Sequence, residues 1–127
     1  MKILTILART LLGLIFVVFG FNGFLHFIPM PPPPSGSPAA LFFTAVSTTG
    51  YMKVVFLFQI IGGLLLLLNL LPVLGLVILC PIIFNIVLFH LTMAPSGLPL
   101  ASVITVLALF LIGMYWDHYR HLVRQPR

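Results

Sequence analysis

Acidic side chains are almost missing from this sequence: Asp117 is the single carboxylate in 127 residues, and glutamate does not occur. A pair of carboxylates working as general acid and base is thereby excluded. Charge of either sign is scarce, at 6% of residues against roughly 25% in ordinary soluble domains. Cysteine occurs once, as Cys80 inside an apolar run beside Pro81. No intramolecular disulfide and no C-x-x-C pair can form, which argues against a thiol oxidoreductase.

What remains is apolar. Hydrophobic residues make up 61% of the chain and the mean hydropathy is +1.28. A membrane-crossing helix needs about 20 mostly apolar residues, so the chain has room for four spans and none for a separate soluble domain. The expected fold is an all-α membrane protein: a four-transmembrane-helix bundle with a short interfacial helix after a proline-rich first loop. The spans are read at residues 3–28, 54–71, 74–91 and 100–116, with the loop and short helix at 29–50. The first apolar stretch is too long for the core of a signal peptide and lacks a prompt small-residue cleavage site. It is therefore read as a retained span.

Punctuation supports this division. Pro31, Pro32, Pro33 and Pro34 have no backbone donors and favour an extended, stiff spacer. Ser37 before Pro38 predicts an N-cap with proline at the first helical position, and Gly50 predicts a helix end. Pro72 separates the second and third spans, making them an antiparallel hairpin, and Pro81 should free the Val77 carbonyl and kink the third. Tyr115, Trp116 and Tyr119 form an aromatic belt where the last span meets water.

The net charge of +5 does not indicate nucleic acid, because the basic residues cap apolar segments and form no stripe interleaved with aromatics. Lys2, Arg9, Arg120, Arg124 and Arg127 lie toward the two termini and only Lys53 elsewhere, which predicts both termini in the cytoplasm. Arg9 either snorkels to the inner surface or pairs with Asp117, fastening the first span to the fourth. Asp117 also precedes Arg120 and His121 by three and four residues, the spacing of a helix-surface ion pair.

Threaded this way, most intramembrane polar side chains fall in the outer half: Asn22 and His26 on the first span, Gln59 on the second, roughly 9 Å inward from Lys53, and Asn85 and His90 on the third. Asn69 is the exception, near the inner end. Two readings of this cluster stand side by side. Asn, Gln and His hold membrane helices together by interhelical hydrogen bonds. The same groups beside apolar walls also suit a ligand pocket for a lipid headgroup or a quinone, under a proline-rich lid. Haem or metal ligation by His26 and His90 lacks a carboxylate or cysteine to complete the set. Gly13 and Gly20 on the first span, and Gly62 with Gly63 on the second, predict close helix approach, within the chain or between copies in a homo-oligomer. A faint echo links Phe21, Asn22 and His26 with Phe84, Asn85 and His90, as a parallel repeat of helix pairs would produce.

Taken in order, Arg9, Leu11 to Phe16, Phe19, Gly20, Asn22 and Phe24, then Gln59, Gly62 and Gly63, then Pro81, Ile82, Asn85, Leu88, Phe89 and His90 resemble the successive helices of the DoxX family. The resemblance runs over nearly the whole chain and implies a four-helix protein of the bacterial cytoplasmic membrane. Some members of that family are small subunits linked to quinone-dependent oxidation of sulfur compounds; others assist membrane-protein assembly. Many relatives carry Glu where this chain has Gln59, so a proton-carrying carboxylate is missing here. The functional expectation is an accessory subunit or anchor of a redox complex, with a quinone as the ligand implied. The alternative is a small transporter or an assembly chaperone.

Overall fold

A computed structural model describes residues 2–124, and every regular element among them is helical. In chain order these are α1 (Lys2–Leu25), α2 (Pro38–Thr48), α3 (Tyr51–Leu67), α4 (Pro72–Thr92), a 3-10 turn (Pro95–Gly97), α5 (Leu98–Met114) and α6 (Trp116–Val123). Three stretches, Lys2–Leu25, Pro72–Thr92 and Pro95–Met114, are long and apolar enough to cross a membrane. Helices α2 and α3 together make a further candidate, bent by 82° between them.

The four long helices close into a ring in which α1 packs on α3, α3 on α4, α4 on α5 and α5 back on α1. Leu12, Phe16, Leu66, Leu76, Leu79, Ile83, Ile104 and Leu111 fill its centre. The outside is no more polar than the inside: Leu14, Phe58, Phe84, Val106 and Leu109 are all exposed. So continuous an apolar exterior would drive association in water, whereas hydrocarbon solvates it without cost. The bundle has the build of a helical membrane protein.

With oily side chains both inside and out, the hydrophobic effect does not hold such helices together, and close packing must do so. Glycine provides it on both sides of α3. A Cβ on Gly13 would lie 2.8 Å from the Gly63 carbonyl oxygen, and one on Gly63 would lie 2.9 Å from that of Gly13. On the neighbouring face, a Cβ on Gly75 would lie 2.9 Å from the Gly62 carbonyl oxygen. Adjacent glycines in α3 thus bring it against α1 with one and against α4 with the other. The glycine faces that the sequence offered to a second copy as well are filled within the chain.

Local chemistry explains where the helices stop. Ser37 caps α2 as expected, its hydroxyl accepting from the Ala40 amide at 3.2 Å. Helix α1 ends at Leu25, three residues before the expected end of the span, because His26 adopts a left-handed conformation (φ 53°) and its amide donates to the Asn22 carbonyl at 2.8 Å. Helix α3 ends at Leu67 in a Schellman motif: Asn69 takes φ 53°, its amide donates to Leu66, and the Leu70 amide donates to Leu65. His and Asn tolerate the left-handed region better than other side chains bearing a Cβ. Helix α4 continues through Pro81 as one helix.

At one end, α2 turns across the bundle. Phe42 and Phe43 each place their ring centroids 5.3 Å from that of Phe89 on α4, and the His90 ring stands edge-on to Phe89 at 5.1 Å. The short helix therefore packs on α3 and reaches Phe89 of α4 with its two phenylalanines.

Candidate functional site

The five polar residues singled out in the sequence do not all reach one space. Asn22 is 6% exposed and both ends of its amide are engaged locally. Its Oδ1 accepts from the Ile28 amide at 2.7 Å and its Nδ2 donates to the Ile28 carbonyl at 3.3 Å. It clamps the chain as α1 gives way to the proline-rich loop. His26 is exposed and terminates α1 through its backbone. Asn85 is exposed, with Nδ2 donating to the Pro81 carbonyl one turn back at 2.9 Å. The His90 ring is half-buried, with Nδ1 3.0 Å from the Ala94 carbonyl oxygen, and it packs against Gly97.

For these four residues the described structure shows none of the interhelical hydrogen bonds of the helix-fastening reading. Their partners are backbone groups nearby in sequence, not side chains on other helices. Sequence spacing placed them at a common depth, yet the direction of each side chain depends on where its helix ends, which depth does not reveal.

Gln59 differs. It is 6% exposed, and no hydrogen bond to its side-chain amide is found among the described residues. Neither is the amide sealed: no side-chain polar atom among the described residues is both enclosed and unpaired. On α3 it falls between Phe56, Ile60 and Gly63, which face α1, and Gly62, which faces α4. It is thus turned toward the interior seam of the bundle with open hydrogen-bonding capacity. An amide at this depth is favoured when a polar group meets it, and the access it keeps allows one to do so. The position therefore calls for a water, a ligand or a partner group.

Two grooves flank α4. One, of about 350 Å³, lies between Tyr51, Val54, Val55 and Phe58 of α3 and Ile78 and Ile82 of α4. The other, of about 540 Å³, lies under α6. Both are apolar, and neither is lined by any of the five polar residues.

The expected pair of Arg9 with Asp117 does not form. Arg9 is 9% exposed, and its Nη1 donates to the Leu66 carbonyl at 2.6 Å and to that of Leu67 at 3.5 Å. These carbonyls belong to the last turn of α3, where the Leu66 oxygen also accepts from the Asn69 amide and the helix dipole favours a cation. Asp117 instead pairs with Arg120 at 3.4 Å, exposed on α6. Arg9 fastens α1 to α3, not to the fourth long helix. The sequence carried a signal for this in the excess of free carbonyls at any helix end, but nothing in it said which helix end lay opposite Arg9.

Tyr119 was read as a belt residue only. Its hydroxyl donates to the Val73 carbonyl at 2.8 Å, tying α6 to the first turn of α4. Burial, reinforced by Cys80 and Tyr115 nearby, pushes its phenol up to about 12. Among the described residues no three His, Cys, Asp or Glu side chains come together in a way that could hold a metal ion. No protein-family model, curated protein or solved structure matches the chain.

Proposed function

We propose that this chain is a four-span accessory subunit or anchor of a redox complex in a bacterial cytoplasmic membrane, with both termini cytoplasmic. In this reading α3, preceded by α2 lying across the bundle end, is the second span. Its 17 residues rise about 26 Å, close to the hydrocarbon thickness of about 30 Å. The resemblance to the DoxX family supports the assignment to quinone-linked chemistry, with the chain itself in a non-catalytic role.

The observation that carries the ligand-facing part is Gln59, a largely buried residue whose side-chain amide keeps some access and makes no hydrogen bond among the described residues. Its N–H groups suit a quinone carbonyl or a polar group from a neighbouring subunit. The apolar groove of about 350 Å³ between α3 and α4 borders the same stretch of α3 and suits an isoprenoid tail. Asn22, His26, Asn85 and His90 serve in this reading as helix-end and loop anchors that keep the outer end of the bundle in shape.

Native mass spectrometry of the tagged protein, extracted from its own membranes in mild detergent, tests the proposal. A bound quinone or stoichiometric redox subunit in the wild type, lost in Gln59→Leu while the bundle stays folded, is the expected result. Bare protein in both preparations would overturn it, and substrate flux into liposomes containing the protein alone would put transport in its place.

A further inference from the structure

Helix α6 leaves the end of α5 at Tyr115 and presents two chemically distinct arcs. At 100° per residue, Trp116, Tyr119, Leu122 and Val123 share one side, while Asp117, Arg120, His121 and Arg124 share the other. Such a helix lies in the headgroup region with its apolar side toward the acyl chains. Here that side is not simply laid on lipid. Tyr119 and the largely exposed Leu122 and Val123 form a partial, open-sided roof over the groove of about 540 Å³ whose wall is the stripe Val77, Pro81 and Phe84 of α4. The stripe follows i, i+4, i+7 spacing and runs roughly 10 Å along the helix axis. The volume falls within the range of roughly 300–1,000 Å³ usual for ligand pockets.

The opposite arc supplies charge. Asp117 offsets Arg120 at 3.4 Å, while the Arg124 guanidinium has no partner among the described residues. The hydrogen bond from Tyr119 to Val73 holds the roof on the wall.

We infer that this groove is a binding site for one anionic phospholipid, with an acyl chain along the Val77 to Phe84 stripe beneath α6 and the phosphate beside Arg120 and Arg124. An open apolar groove long enough for a chain segment, bordered by a helix whose opposite arc carries the arginines, offers contacts to both ends of such a molecule. A zwitterionic lipid fills the slot equally well but brings no net charge to the arginines. The inference rests on the membrane reading of the bundle and is independent of Gln59 and of any quinone.

Trp116, the single tryptophan of the chain, stands on the roof helix and reports on the site. The full chain is reconstituted in phosphatidylcholine vesicles, and its fluorescence is quenched by adding either phosphatidylglycerol or phosphatidylcholine with brominated chains. Phosphatidylglycerol is expected to quench at about tenfold lower mole fraction, since each basic residue near an anionic surface contributes about fivefold and Asp117 offsets part of this. Arg120→Gln with Arg124→Gln should bring the two lipids to parity, with helicity by circular dichroism unchanged. Val77→Phe, at an exposed position, should fill the slot and abolish saturable quenching by either lipid. Equal quenching by the two lipids in the wild type would overturn the inference. So would a preference that survives Val77→Phe, which would assign the effect to surface charge without the groove.

Discussion

At the scale of single residues, polar groups in this protein act mainly on backbone. Asn22 and Asn85 are the same residue type and occupy similar places in the sequence pattern, yet they differ in consequence. Asn22→Leu would leave the Ile28 amide and carbonyl, now bound at 2.7 and 3.3 Å, without partners. We expect a loss of about 1–3 kcal/mol in a detergent unfolding titration. Asn85→Leu removes only an exposed bond within its own helix and should fall within about 0.5 kcal/mol of wild type in the same assay. Equal losses for both would contradict the geometry. Arg9→Met should cost about 1.5–3 kcal/mol, since it leaves the last carbonyls of α3 without a charged donor. Asp117→Asn should leave the attachment of α1 untouched.

Tyr119 gives a residue-scale prediction in pH. Its phenol lies at about 12 when folded and about 10 when unfolded, so between those values the folded chain holds a proton that the unfolded chain has released. Stability from this group is present in full below about pH 10 and is lost as pH rises through about 12. Tyr119→Phe removes the titrating group along with the bond to Val73. The stability difference between variant and wild type should therefore shrink across that window, as measured by unfolding titrations at pH 9 and above. A difference independent of pH would mean that Tyr119 is not buried against α4 in the folded bundle.

At the scale of elements, helix pairing depends on what a single methyl group would displace. Gly63→Ala must push apart two backbones, because the new Cβ meets the Gly13 carbonyl oxygen at 2.9 Å and the Val17 amide nitrogen at 3.0 Å. It should cost about 1–3 kcal/mol. Gly113 on α5 meets nothing within 4 Å, so Gly113→Ala should be neutral or stabilising by up to about 1 kcal/mol through helix propensity. The ordering of these two variants in thermal unfolding tests whether α1 and α3 approach as closely as described.

At the scale of the whole molecule, the ring of long helices and the distribution of charge together predict topology. With Cys80 replaced by Ala, Ser35→Cys in the proline-rich loop should react with a membrane-impermeant maleimide added to intact cells. Arg124→Cys should react only after the membrane is opened. Labelling of both from one side would require an odd number of crossings, and α2 with α3 would then form a re-entrant pair.

Much of the fold was legible because lipid imposes a simple rule. Segments long and apolar enough to cross must be helices, and Ser37 with Pro38 marked the start of α2 at the residue where it begins. Composition alone also left no second acidic side chain and no second cysteine to pair within this sequence. The glycines at positions 13, 62 and 63 announced close packing, since a residue without a side chain lets backbones approach most closely. Tertiary structure decided which partners these signals found. The Arg9 guanidinium met the end of α3 and not Asp117, because the ring order of the helices sets what lies opposite. The polar cluster dispersed into local bonds to backbone groups, because side-chain direction depends on the backbone around each residue. Gln59 was left open at the interior seam, and α6 folded over the wall of α4. Periodicity in one chain records which face of a helix is apolar; which neighbour that face meets is settled only when all the helices pack at once.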